Sequence, residues 1–238
     1  MTIKAKSGGS WWTVLLIVAA IAVWAYDQKK SLDSPAKKPT ASRTEKSTPP
    51  PKAKPSPATK GSEKIGGYEV YRNCTLAETR NNDGDSFMVN LPDGKKSELR
   101  LYFVDTPESA FKSYRGGETN HQRIDEQAAD MGGITPQQAV QVGQDAKHFT
   151  LALLASRPFD IYTCWDSPYH DERYHAFVEV KQDGKSRWLH ELLVKKGFVR
   201  IHTKGADLPD GTTAAKHKAQ LKNLESTAKK AEAGAWGK

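Results

Sequence analysis

Cysteine is scarce in this chain: 238 residues contain two, Cys74 and Cys164. A scaffold stapled by several bridges is excluded, and at most one intrachain disulfide can form. Both cysteines fall in segments that read as strands, so a single Cys74–Cys164 bridge and two buried thiols both stay open. The second scarcity is net charge in the body of the protein. Residues 1–65 carry twelve Lys/Arg against four Asp/Glu, whereas the rest holds 24 of each. The overall charge of +8 therefore belongs to the front. The basic excess usual for a dedicated nucleic-acid binder is missing from the body. No internal repeat is evident.

Charge is also absent from Ser7 to Tyr26, a run that includes WWTVLLIVAAIAVWAY. Twenty helical residues rise about 30 Å, one hydrocarbon thickness. Trp11 and Trp12 at one end, with Trp24 and Tyr26 at the other, match the aromatic belts of a spanning helix. The run has no polar face, which excludes an ordinary core helix. A cleavable signal is the alternative, with Lys4 and Lys6 ahead of the run and Val23-Trp24-Ala25 as the cleavage site. The bulky Trp24 favours an uncleaved anchor over residues 1–27. Lys4 and Lys6 on one side and Lys29, Lys30, Lys37 and Lys38 on the other barely decide orientation. Either reading exports the large domain from the cytoplasm, tethered in one case and secreted in the other. Residues 28–65 follow as a Lys-, Ser- and Pro-rich linker that cannot bury enough apolar surface to order itself; residues 27–64 include seven prolines.

The remainder, 66–238, is long enough for one domain with a proper core. Asp83-Gly84, Asp93-Gly94 and Asp183-Gly184 read as hairpin turns, because tight turns need positive φ. The strands predicted around them are Tyr68–Leu76, Ser86–Leu91, Ser97–Val104, Phe159–Trp165 and Tyr174–Val180, with a short piece at Ser186–Trp188. Between the two groups lies a helix capped by Thr135 with Pro136 in its first turn. Its inward positions are Val140, Ala146, Phe149, Leu151 and Leu154. A second helix covers Leu189–Gly197. A third starts at Thr212 or Thr213 and runs to about Gly234, with Ala215, Leu221, Leu224 and Ala228 facing inward. The fold class is α+β: a five-stranded OB-type β-barrel packed with three α-helices, preceded by the hydrophobic helix and linker.

The chemistry concentrates in Asp83-Gly84-Asp85 and in RLYFVDTPE, Arg100 to Glu108. Antiparallel strands joined by Leu91–Ser97 bring Asp85 beside the end of the Arg100 strand, where Asp105 stands. Pro107 breaks the strand and frees a carbonyl for a ligand. Taken alone, Asp83-Gly84-Asp85 reads first as a turn that merely needs small polar residues.

Together, DGDSF, RLYFVDTPE and the later HDERYHAFV closely resemble the staphylococcal nuclease (thermonuclease) family, over about residues 66–238. The resemblance implies an OB-type barrel with three helices and calcium-dependent cleavage of DNA and RNA. It implies that Asp85 and Asp105 are carboxylate ligands of calcium and that Thr106 offers its backbone carbonyl. It further implies that Glu108 activates or orients the attacking water, and that Arg100 and Arg173 flank the phosphate. Guanidinium forks can hold two phosphate oxygens at once, so arginine suits that task. For Arg173 a surface salt bridge with Asp171 or Glu172 is the competing reading.

Two departures from the family stand out. The segment 109–135 is longer than in compact members and reads as a mobile flap over the cleft or a tolerated surface insertion. His202-Thr203-Lys204-Gly205 stands where the family has tyrosines near the nucleotide, which weakens base stacking there. Cys164, His170, Asp171 and His175 offer transition-metal ligands at a spacing that matches no standard zinc site. His170 or His175 is also a minor candidate for general base, with His175 on the same strand face as Arg173. The expected partners are nucleic acid as substrate and the membrane through residues 7–26, with no obligate protein partner and a monomeric state. The alternative is an OB-fold module that binds nucleic acid or protein without chemistry.

Overall fold

The computed structural model describes residues 63–168 and 171–238. The anticipated anchor, most of the linker and His170 lie outside them. Among the described residues no helix is long and apolar enough to cross a membrane.

Nine strands form among the described residues: β1 Glu63–Ile65, β2 Tyr68–Leu76, β3 Ser86–Asn90, β4 Lys96–Leu101, β5 Val104–Asp105, β6 Phe159–Thr163, β7 Arg173–Gln182, β8 Lys185–Trp188 and β9 Arg200–Ile201. Hydrogen bonding runs β2-β3-β4-β7-β6, and β6 pairs back onto β2, closing a five-stranded barrel. All these pairings are antiparallel except β4 with β7, which run parallel. β1 and β8 extend the edges. Glu63–Ile65, assigned by sequence to the linker, is therefore part of the sheet.

The barrel interior is filled by Phe87, Leu99, Leu101, Phe159, Ile161 and Phe177, all almost wholly buried. The strands alternate as a half-buried sheet must: in β3, Phe87 and Val89 are buried while Met88 and Asn90 are partly exposed.

Among the described residues there are four α-helices beside this barrel, where the sequence suggests three. They are α1 His121–Asp130, α2 Pro136–Ser156, α3 Leu189–Lys195 and α4 Ala214–Lys230, followed by a 3-10 turn at Gly234–Gly237. The unforeseen helix, α1, lies inside segment 109–135. Its apolar residues Ile124, Ala128 and Met131 are spaced i, i+4, i+7 and join Ala139, Val140 and Val142 of α2 in two small cores. The segment is thus docked, and reading it as a flap or tolerated insertion is corrected over its helical half. α2 opens as expected, with a reciprocal capping box between Thr135 and Gln138 and Pro136 in the first turn. In α4 the inward stripe is His217, Leu221, Glu225 and Ala228, and Ala215 is exposed. Leu221 and Ala228 face inward as expected, whereas His217 and Glu225 take the places expected for Ala215 and Leu224.

Three further expectations are corrected. Cys74 is buried and Cys164 exposed, and both thiols are free. Cys74 pairs with Phe159 in the β2–β6 register, and Cys164 lies five residues farther along, about 17 Å away, too far to bridge. Asp93-Gly94 and Asp183-Gly184 do turn hairpins, with Gly94 and Gly184 at positive φ. Asp83-Gly84 does not: it ends the longer β2–β3 loop. Finally, the expected strand Ser97–Val104 breaks at Phe103, which sits at φ 69°. The break peels Val104–Asp105 off the barrel to pair with Arg200–Ile201.

Candidate active site

Three loops and strand ends meet at one mouth of the barrel. The β2–β3 loop is pinned by buried Asn82, whose side chain donates to Ala77 O and accepts from Met88 N. At its end Gly84 fits under the Asp105–Glu108 segment: a Cβ there would stand 2.7 Å from Thr106 Cγ2. Thr150 of α2 holds Gly84 from the other side through a bond to its carbonyl at 2.9 Å. α2 presses equally closely on the same segment, because a Cβ on Gly143 would lie 2.5 Å from Pro107 O and 2.6 Å from Glu108 O. Close packing, rather than turn geometry, is why both positions are glycine.

Asp85 and Asp105 converge as the motif implies. The Thr106 N–H donates to Asp85 Oδ2 at 3.1 Å, and Arg100 Nη2 reaches Asp105 Oδ1 at 2.8 Å and Asp85 Oδ2 at 3.5 Å. Asp105 is surrounded further. Arg123 Nη2 donates to its Oδ1 at 2.9 Å, and Arg200 Nε and Gln127 Nε2 donate to its Oδ2 at 2.9 and 3.0 Å. Gln127 also donates to Thr106 O at 3.0 Å and accepts from Glu108 N at 3.0 Å. Glu108 is held by Arg123 Nε at 2.9 Å on one oxygen and by Asn120 Nδ2 at 3.3 Å on the other.

Arg173 arrives from the neighbouring strand. The parallel β4–β7 register sets Glu98 beside Arg173 and Arg100 beside His175. Arg173 pairs with Asp171, Nε to Oδ2 at 2.8 Å, which bears out the salt-bridge reading. It also lines the same cleft of about 550 Å³ as Asp85, Arg100, Thr106 and Glu108. Of the six residues named from sequence, five therefore line one cleft, and buried Asp105 holds its arginines from behind.

The two aspartates feel opposite fields. Burial pushes the Asp85 carboxyl up, to about 6; Arg100 opposes this, while Asp105 and Asp83 add to it. Asp83 is raised by burial as well. Burial acts upward on Asp105 too, but Arg123, the Gln127 amide, Arg200 and Arg100 outweigh it, and the carboxyl ends below its ordinary range.

Three site residues escape sequence reasoning. Arg200 carries no motif and is delivered only by the β5–β9 pairing opposite Asp105. Arg123 and Gln127 sit on α1, whose signal was the Ile124, Ala128, Met131 spacing. The His175 readings are corrected; His170 lies outside the described residues. His175 is buried, its ring stacked at 5.2 Å on Tyr102, so it does not face the cleft. Cys164 contacts Gly67 O and builds no metal cluster with His175 among the described residues. The histidines that do converge are His190 and His217, fully buried, with Nε2 atoms 2.7 Å apart. That is a hydrogen bond; two nitrogens on one tetrahedral zinc, each about 2.0–2.1 Å from it, stand over 3 Å apart. Lys204, in the segment lacking the family tyrosines, pairs with Asp166 at 2.7 Å.

A closed five-stranded barrel with parallel β4–β7 pairing, helices on its flank and an acidic–arginine cleft at its mouth defines an α+β protein of OB type. Residues 98–238 match the model of the staphylococcal nuclease homologue family, and the chain belongs to that family. The match includes Arg100, Asp105, Thr106, Glu108 and Arg173; Asp85 precedes it. No curated protein matches the chain.

Proposed function

We propose that this domain is a calcium-dependent, sugar-nonspecific nuclease that hydrolyses phosphodiester bonds of DNA and RNA. The observation that carries the reading is the gathering of Asp85, Arg100, Thr106, Glu108 and Arg173 around one cleft, with Asp105 directly behind.

The donor set suits a hard cation. Asp85, Asp105 and the Thr106 carbonyl offer only oxygen, and the raised Asp85 and Asp83 carboxyls mark negative charge that the arginines leave uncompensated. Asp85, Asp105 and Thr106 would hold calcium, which when bound supplies a Lewis acid for a phosphoryl oxygen. Glu108 takes the proton from the attacking water as its oxygen bonds to phosphorus and the P–O bond to the leaving oxygen breaks. Arg100 and Arg173 stabilise charge growing on the phosphoryl oxygens, Arg173 by turning its fork from Asp171 to the phosphate. A small cleft admits splayed strands more readily than a stiff duplex, so single-stranded substrate is cut faster.

Incubating purified protein with DNA and RNA, with calcium or with chelator, tests the reading. Fragmentation in calcium alone is expected; intact substrate alongside folded protein would sink it. A binding-only barrel is separated by Arg173→Ala, which costs turnover far more than affinity in an enzyme. We further propose that residues 7–26 tether a monomeric domain outside the cytoplasm, with release after signal cleavage as the alternative. Membrane fractionation with protease shaving checks this: a body resistant to protease in intact cells contradicts it.

A further inference from the structure

We propose that Arg123 is a built-in competitor for the divalent ion, so that α1 sets the cation affinity of the cleft. The inference rests on the calcium reading above. One guanidinium bridges two carboxylates of the site, Nη2 to Asp105 Oδ1 and Nε to Glu108 Oε1, each at 2.9 Å. Asp105 is a carboxylate the calcium reading assigns to the cation, and Glu108 is the one it assigns to the attacking water.

Three arginines hold Asp105, and they differ in whether they can leave. The Arg100 and Arg200 side chains are 10% and 9% exposed, held among packed neighbours. The Arg123 side chain is 45% exposed. It alone of the three can swing into water, where a guanidinium is well solvated. The helix beneath it stays put, because Ile124, Ala128 and Met131 are buried. One turn on, Gln127 fixes the Thr106 carbonyl and the Glu108 N–H. The insertion thus delivers a releasable cation from a fixed support. In the ion-free protein Arg123 neutralises Asp105 and immobilises Glu108. Asp105 Oδ1 already accepts from both Arg100 and Arg123, so a divalent ion arriving there displaces one of them; Arg123, the exposed one, leaves and releases its hold on Glu108 at the same moment.

The test is calorimetric titration of calcium into chelator-treated full-length protein, comparing wild type with Arg123→Ala and Arg123→Gln. Lys112→Ala serves as control, because Lys112 pairs with Glu108 at 3.6 Å and its removal also takes one positive charge from the cleft. Both Arg123 variants should bind calcium more tightly, on the order of tenfold, with Lys112→Ala shifted by less than about threefold. Circular dichroism confirms that α1 is retained, and the glutamine variant keeps the stem and a polar head should alanine loosen the helix. Calcium affinity in both Arg123 variants equal to wild type, or to Lys112→Ala, overturns the inference and leaves the calcium reading standing. No calcium heat in any of the four proteins sinks the calcium reading and this inference with it.

Discussion

Asp85 and Asp105 stand in one site, both buried, yet their surroundings differ in kind. Asp105 accepts from three guanidiniums and an amide, and its charge is more than matched. Asp85 has a backbone N–H, a long contact to Arg100 and a second carboxylate, Asp83, pressing on it. One carboxylate is matched by surrounding cations; the other is buried with less charge to match it. Identical residue types thus hold unlike roles, and burial alone does not tell them apart.

The sharpest way to break this contrast is to remove each charge. Asp105→Ala takes from buried Arg100 its close partner, leaving the 3.5 Å contact to Asp85, and from Arg200 one of two, leaving Asp130; it should cost about 3–5 kcal/mol, read as a large fall in melting temperature. Asp85→Asn in chelated protein should leave melting unchanged or raised, because a disfavoured buried charge is gone. Equal losses in the two variants would erase the distinction. Next in size, Arg173→Lys keeps the charge but loses the fork, and should lower kcat about 100-fold in steady-state digestion without unfolding the domain. A fall confined to KM would reassign Arg173 to binding. Third, Gly143→Ala drives a Cβ into the carbonyls of Pro107 and Glu108, and should cost about 1–3 kcal/mol together with a lower kcat. Unimpaired activity would show that Glu108 needs no such close support.

The smallest effect lies away from the cleft and supplies a baseline. Burial, then mutual repulsion, holds His190 well below its ordinary value, and burial lowers His217 as well. The unfolded chain therefore takes up protons that the folded one refuses once pH drops below about 6.5. Stability is full above that value and declines as pH falls towards the lowered folded values. Melting curves from pH 7.5 to 5 should show the slope, and His190→Leu should flatten it.

The local part of the site was legible. Asp85, Arg100, Asp105, Thr106 and Glu108 lie within 24 residues of one another, and their spacing survives folding because β3 and β4 are joined by a short hairpin. Arg173 was legible only through the later HDERYHAFV stretch. Arg200 was not, since its place depends on a break at Phe103 that no residue type announces. Arg123 and Gln127 were hidden because polar residues dominate α1 and drew attention away from Ile124, Ala128 and Met131. The Cys74–Cys164 bridge failed for a related reason: Cys74 lies on β2 opposite Phe159 at the start of β6, whereas Cys164 stands just past the end of β6.

The parallel pairing of β4 with β7 has a consequence for folding kinetics. No hairpin can join parallel neighbours, so Arg173 meets Arg100 only after α1, α2 and β6 have been laid between them. Contacts of such sequence separation pay their chain-closure entropy late. During refolding, β3 and β4 can zip early and carry Asp85 and Arg100 with them, whereas catalytic competence must await the final closure of the ring.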